Sequence, residues 1–217
     1  VASGAVFQRT GGFTNTGMLS GAGTINVGTD NSIINQGTIA PGTASGDRTG
    51  MLSISGNLVQ NPTGIVDIEI DGSGTGNYDV VAVSGTANLG GSLKVSGAGY
   101  EGNFTVLTTP TRSGVFSEVI EAGGFLVTDE YSASAVTLTV AFPVVSWTGG
   151  GGNDLWTNTS NWDAGRLPGP NDKVFINVAE ANPTILLPSG THSIRSLTSY
   201  ENLTISGGSL SLSAASS

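Results

Sequence analysis

The feature that most limits what this chain can fold into is the shortness of its apolar runs, most of which are followed within two residues by glycine. β-Branched and aliphatic residues gather from Thr24 to Val27, Ser32 to Asn35, Gly64 to Ile70, Val80 to Val83, Phe104 to Leu107, Ala135 to Ala141, Lys173 to Val178 and Leu203 to Ile205. Each run has the length of a strand and not of a helix. Between them stand Gly11-Gly12, Gly37, Pro41-Gly42, Gly72 to Gly76, Gly90-Gly91 and Gly123-Gly124, which mark turns. Apolar residues nowhere keep the three-and-four spacing of a helix face over three turns. In Ile65-Val66-Asp67-Ile68-Glu69-Ile70-Asp71, Val66, Ile68 and Ile70 fall on one side of a strand and Asp67, Glu69 and Asp71 on the other. The chain is expected to be all-β.

A loose repeat supports a particular β architecture. Leu52-Ser53-Ile54-Ser55-Gly56-Asn57-Leu58 is echoed by Leu203-Thr204-Ile205-Ser206-Gly207-Gly208-Ser209-Leu210 and by Val81-Ala82-Val83-Ser84-Gly85. The irregular spacing excludes a strict consensus repeat but suits a right-handed parallel β-helix, a solenoid whose rungs are strand, turn, strand with turns of variable length. Asn26, Asn35, Asn57, Asn61, Asn77 and Asn88, each close to a glycine, fit rung corners, because both residue types tolerate left-handed backbone angles. The alternative is an antiparallel β-sandwich, which also alternates and turns often.

Charge and cysteine content remove several classes of function. The chain carries 16 acidic and 7 basic residues, a net charge of −9. Binding to phosphate backbones or anionic lipids needs clustered Lys and Arg, so neither nucleic acid nor membrane insertion is expected. The absence of cysteine excludes disulfides, thiolate metal sites and a cysteine nucleophile. No apolar run approaches membrane-spanning length. The opening Val1-Ala2-Ser3-Gly4 resembles neither a start nor a signal segment, so a mature piece or a fragment is expected.

The order of phrases Gly37-Thr38-Ile39-Ala40-Pro41-Gly42, Leu52-Ser53-Ile54-Ser55-Gly56-Asn57 and Tyr78-Asp79-Val80-Val81-Ala82-Val83-Ser84-Gly85-Thr86-Ala87-Asn88-Leu89-Gly90-Gly91-Ser92-Leu93 resembles the late β-helical part of bacterial autotransporter and filamentous-haemagglutinin-like passenger proteins. Gly102-Asn103-Phe104-Thr105-Val106-Leu107 and Gly114-Val115-Phe116-Ser117 resemble the closing strands of such units, so the likeness runs from about Leu19 to Val140. It implies secretion and a place on the bacterial cell surface. It implies no chemistry, because such scaffolds carry adhesins, enzymes and passive stalks. Phe142-Pro143 then breaks the pattern. All three tryptophans follow, in Trp147-Thr148-Gly149-Gly150-Gly151-Gly152-Asn153-Asp154-Leu155-Trp156 and Asn161-Trp162. This segment resembles the Trp-rich opening of a new unit in large bacterial surface proteins. Residues 1–142 are therefore expected to end one β-helical unit, and residues 143–217 to hold a Trp-Gly-rich cap and the first strands of the next. Neither a membrane-anchoring barrel nor a secretion domain is recognisable, which leaves the export route open.

Candidate sites each have a plain structural reading beside the functional one. Trp147, Trp156 and Trp162 offer either a sugar-stacking platform or, the favoured reading, a cap over the solenoid bore. Asp67, Glu69, Asp71 and Asp79 provide oxygen ligands among flexible turns that suit calcium, although their spacing departs from the nonapeptide calcium pattern and alternating acids on a solvated strand are ordinary. No other cofactor is expected. A glycan-degrading enzyme needs paired carboxylates, for which Asp129 with Glu130, or Glu118 with Glu121, are the candidates. His192, the one histidine, has no Asp or Cys partner nearby in sequence and reads as an exposed turn residue. Asn103, Asn158 and Asn202 begin glycosylation sequons, frequent by chance in such a composition. Together these readings give a non-enzymatic extracellular segment of a surface or matrix protein, stacking end to end with copies of itself or with neighbouring units as a stalk, adhesin or fibre. The alternatives are an adhesin module that binds glycans or a host cell surface, and a polysaccharide-degrading β-helix.

Overall fold

The computed structural model describes residues 1–42, 49–97, 100–179 and 182–213, and among them it contains parallel β-sheets and no α-helix. The chain divides into two compact units, Val1–Ala141 and Phe142–Ser217.

In the first unit the strands come in threes. The first triplet is β1 (Val6–Gln8), β2 (Phe13–Asn15) and β3 (Met18–Gly21), followed by β4 (Thr24–Asn26), β5 (Ser32–Asn35) and β6 (Thr38–Pro41). The third is β7 (Met51–Ser55), β8 (Asn57–Gln60) and β9 (Ile65–Glu69), and the fourth β10 (Val80–Val83), β11 (Thr86–Leu89) and β12 (Ser92–Ser96). The fifth is β13 (Gly102–Thr108), β14 (Thr111–Gly114) and β15 (Glu118–Ala122). Each strand pairs in parallel with the strand three places on, which produces the orders β1-β4-β7-β10-β13, β2-β5-β8-β11-β14 and β3-β6-β9-β12-β15. Two further strands, β16 (Leu126–Tyr131) and β17 (Ala135–Ala141), are added to the first sheet, where β17 lies antiparallel to both β13 and β16.

Because pairing is parallel and in register, like positions form columns through successive triplets. Phe7, Ile25, Ile54 and Val83 make one; Phe13, Ile33, Leu58 and Ala87 another; Leu19, Ile39, Val66 and Leu93 a third. From the second triplet to the fourth these residues are buried, and each aliphatic side chain so removed from water contributes about 1.5–3 kcal/mol. The phrases Leu52-Ser53-Ile54 and Val81-Ala82-Val83 are direct partners across β7 and β10, so the repeat seen in the sequence is a stacking repeat. On β9, Val66 and Ile68 are buried while Asp67 and Glu69 lie on the partly exposed face, as the alternation requires. Gly91, with φ +64°, makes the turn between β11 and β12, and a Cβ there would stand 2.3 Å from the carbonyl oxygen of Gly64.

One buried column is polar. Asn15, Asn35 and Gln60 are stacked partners on β2, β5 and β8. Asn15 Nδ2 donates to Asn35 Oδ1 at 2.7 Å, and Asn35 Nδ2 donates to Gln60 Oε1 at 2.9 Å and to the Ile65 carbonyl at 3.1 Å. Asn15 also holds its own turn, accepting from Gly17 N–H at 3.2 Å. Gln60 Nε2 is buried and finds no acceptor, because Leu89 follows it one residue on from the Val59–Asn88 pair.

The second unit begins with β18 (Val144–Ser146) and continues, after a 3₁₀ turn over Thr159–Asn161, with β19 (Lys173–Ile176), β20 (Thr184–Leu187), β21 (Gly190–Ile194), β22 (Ser196–Ser199), β23 (Asn202–Ile205) and β24 (Gly208–Leu212). Its parallel sheets are β18-β19-β22, β20-β23 and β21-β24; β18 pairs with the next strand, and the other pairs again join strands three places apart. The core here is Val145, Trp147, Trp156, Trp162, Val174, Ile176, Ile185, Leu187 and Ile194.

Asn35→Leu keeps the branching of the side chain but adds volume, strands the Gln60 acceptor and leaves Asn15 Nδ2 only the Gly17 and Thr38 carbonyls at 3.2 Å. Denaturant unfolding should show it less stable by about 2–4 kcal/mol. Lys94→Ala, which removes an ion pair with Asp67 whose side chains are 39% and 27% exposed, should cost less than about 1 kcal/mol.

Candidate functional site

The tryptophan segment is built on asparagine. Asn158 caps the 3₁₀ turn, its Oδ1 accepting from Ser160 N–H at 3.1 Å. Asn161 is fully buried; its Nδ2 donates to the carbonyls of Asn153 at 2.8 Å and Leu155 at 3.0 Å, and its Oδ1 accepts from Gly151 N–H at 2.8 Å. The loop must pass so close to these amides that a Cβ on Gly151 would lie 2.3 Å from Asn158 Nδ2. This explains the glycine run: it lets the backbone wrap the buried carboxamides. The loop then delivers Trp147, Trp156 and Trp162 into the core at 4%, 0% and 2% exposure. Trp162 meets Trp147 and Trp156 edge-on, with ring centroids 5.0 and 4.8 Å apart, and its Nε1 donates to the Trp156 carbonyl at 2.9 Å. Stacking on a pyranose needs an open ring face, and none of the three has one. Nearby, Arg166 holds Asp172 through bonds of 2.5 and 2.9 Å, and Asp172 also accepts from Gly169 N–H. Burial pushes the Asp172 carboxyl up, but Arg166 and that N–H outweigh it and leave it below the usual range.

The acidic residues do not converge. Asp67 is engaged by Lys94 Nζ at 2.7 Å on the outer face. Asp79 points the other way, 2% exposed, its Oδ1 accepting from Gly50 N–H at 2.7 Å and its Oδ2 from Glu69 N–H at 3.0 Å. It thereby closes the base of the loop that leaves β9 and returns through the antiparallel Ile70–Tyr78 bridge. Among the described residues no group of three or more His, Asp or Glu is placed to hold a metal ion. The carboxylate pairs proposed for hydrolysis are also split. Asp129 and Glu130 are consecutive on β16, and Glu118 and Glu121 are three apart on β15, so both pairs point to opposite faces of their strands. Glu121 Oε1 instead accepts from Val127 N–H at 3.0 Å.

His192 is a strand residue on β21 and not a turn residue. It is half-buried, edge-on to Trp156 at 6.4 Å, with Nε2 3.3 Å from the Ser189 carbonyl oxygen. Of the sequon asparagines, Asn103 accepts from Thr139 Oγ1 at 2.8 Å, Asn158 is tied into the tryptophan loop, and Asn202 is exposed at the start of β23.

Two cavities bounded by described residues lie on the first unit. One of about 290 Å³ is bounded by Val1, Phe7, Met18, Leu19, Ser20 and Ile25 at the first triplet. The other, about 220 Å³, is a shallow groove across β4, β7 and β10 lined by Thr24, Ser53, Ala82 and their neighbours. Neither is lined by a carboxylate, imidazole or lysine side chain. The feature that sequence reading missed is at the first triplet: Val6, Phe7 and Met18 are 60%, 49% and 68% exposed. The phrase Val6-Phe7 was its only signal. The chain matches no family model, and no curated protein matches it.

Two outcomes follow. Asp79 has its pKa raised from 3.8 to about 7, burial outweighing the two amides that favour its ionised form. The folded state therefore keeps a proton that the unfolded chain has released, so this group's contribution is complete below about pH 4 and is lost as pH rises through 7. The melting temperature should fall between pH 5 and pH 8 at fixed salt, and Asp79→Asn should flatten that slope. Iodide should leave native tryptophan fluorescence almost unquenched, and should quench it once the protein is unfolded in guanidinium.

Proposed function

We propose that the strand triplets are the coils of a right-handed parallel β-helix, and that the chain is a structural or adhesive segment of an extracellular bacterial surface or matrix protein. The observation that carries this reading is the parallel pairing of strands three places apart, which runs through β1–β15 and recurs in the pairs β19–β22, β20–β23 and β21–β24. Such an arrangement produces length and a repetitive surface without needing a pocket. The likeness of residues 19–140 to autotransporter and filamentous-haemagglutinin-like passengers agrees with it, as do the negative net charge and the absence of cysteine. On this reading the segment works as a stalk or fibre element, extended end to end by coils of the same cross-section. The exposed Val6, Phe7 and Met18 of β1 and β3 offer apolar surface for such contacts.

Light scattering and negative-stain electron microscopy of the purified chain test this. Rods whose length grows with protein concentration are expected. A monodisperse monomer at high concentration, with no end-on contacts between copies, would remove the fibre reading.

A further inference from the structure

The fifth triplet differs from the four before it at the positions that should fill the core. Arg112 is the in-register partner of Ala87, and so continues the column Phe13, Ile33, Leu58, Ala87. Glu121 is the partner of Val95 and continues the column Ile68, Val95. Ile68, Ala87 and Val95 are fully buried, so a charge stands in each column where an aliphatic residue would invite another layer.

Both charges are tied down within their own unit. Arg112 Nε donates to the Ser132 carbonyl at 2.7 Å, a second guanidinium N–H donates to the Gly114 carbonyl, and the guanidinium lies 5.0 Å over the Tyr131 ring. Tyr131 OH in turn accepts from Phe116 N–H at 3.1 Å. Glu121 occupies Val127 N–H on β16. The backbone edge of β14 is partly consumed as well, since Arg112 N–H donates to the Ala133 carbonyl at 2.8 Å. Phe116 and Phe125 are buried beneath this cover at 5% and 2% exposure.

We propose that Arg112 and Glu121 terminate the stack: they prevent the β13–β17 end of the first unit from accepting a coil of a second copy. The inference rests on the end-on reading above. A coil arriving at β14 and β15 would have to bury both charges away from water, which costs far more than the aliphatic contacts return.

The absence of cysteine makes introduced thiols clean reporters, oxidised with copper–phenanthroline and read as disulfide-linked dimer. Ser113→Cys, on the exposed edge strand β14, mixed with a Thr14→Cys chain, whose β2 residue an added in-register coil would set over it, should give almost no cross-linked dimer in the otherwise unaltered chain. In the Arg112→Leu/Glu121→Val background it should give on the order of tenfold more, whereas Arg112→Lys/Glu121→Gln should leave it low. Should the apolar pair fail to fold, judged by far-ultraviolet circular dichroism, Glu121→Val alone carries the same readout. Ready cross-linking of Ser113→Cys to Thr14→Cys in the otherwise unaltered chain overturns the proposal, and so does an apolar variant that folds but gives no increase. Light scattering of the unaltered chain reports separately on end-on association. If that chain stays monomeric, the end-on reading fails, while the Ser113 comparison still decides whether the two charges close their end.

Discussion

Everything in the first unit depends on parallel, in-register pairing between strands three places apart. That pairing does more than satisfy backbone hydrogen bonds. It places each side chain directly over its counterpart, so a residue is compatible with the fold only if it is compatible with the residue above and the residue below. Aliphatic columns meet this condition easily, because Ile25 on Ile54 or Val66 on Leu93 needs only volume and shape. A polar column meets it only if donors and acceptors alternate, and the carboxamides of Asn15, Asn35 and Gln60 do so. A charged column does not meet it at all, and charges occupy core positions only in the last triplet.

This condition separates what was legible in the sequence from what was not. The alternation of Ile65 to Asp71 is a property of one strand, and it identified the buried face of β9 correctly. The echo of Leu52-Ser53-Ile54 in Val81-Ala82-Val83 was legible too, and it corresponds to strands that pair. Asp79 was not legible. In sequence it is one more acid near Asp67, Glu69 and Asp71, and only the return of the chain through the Ile70–Tyr78 bridge turns it inward onto the amides of Gly50 and Glu69. Arg112 and Glu121 were opaque for the same reason: their meaning lies in the identity of Ala87 and Val95, and that register is absent from any single stretch of sequence.

The tryptophans show a different limit. Their clustering with Gly and Asn made them conspicuous, and conspicuous aromatic residues invite a binding role. Their environment depends on Asn161, whose burial could not be inferred from composition. Once Asn161 satisfies the loop carbonyls of Asn153 and Leu155, the rings have only the core of the second unit to enter. Asparagine thus does related work in both units, pairing with asparagine and glutamine on strands in one and with loop backbone in the other.

The carboxamide column also bears on how such a chain can change length over evolutionary time. Where neighbouring layers are joined through interchangeable aliphatics, as between β7–β9 and β10–β12, unequal recombination that gains or loses one whole layer leaves every contact of the same kind. The segment from β2 to β8 does not share that freedom. Its chain of donors and acceptors has a direction, from Asn15 through Asn35 to Gln60, which ends with an unused Nε2 against Leu89. A layer inserted there must carry Asn or Gln at one position or break the sequence of bonds. The layers joined by these amides are therefore fixed in order, while those after Gln60 are free to multiply.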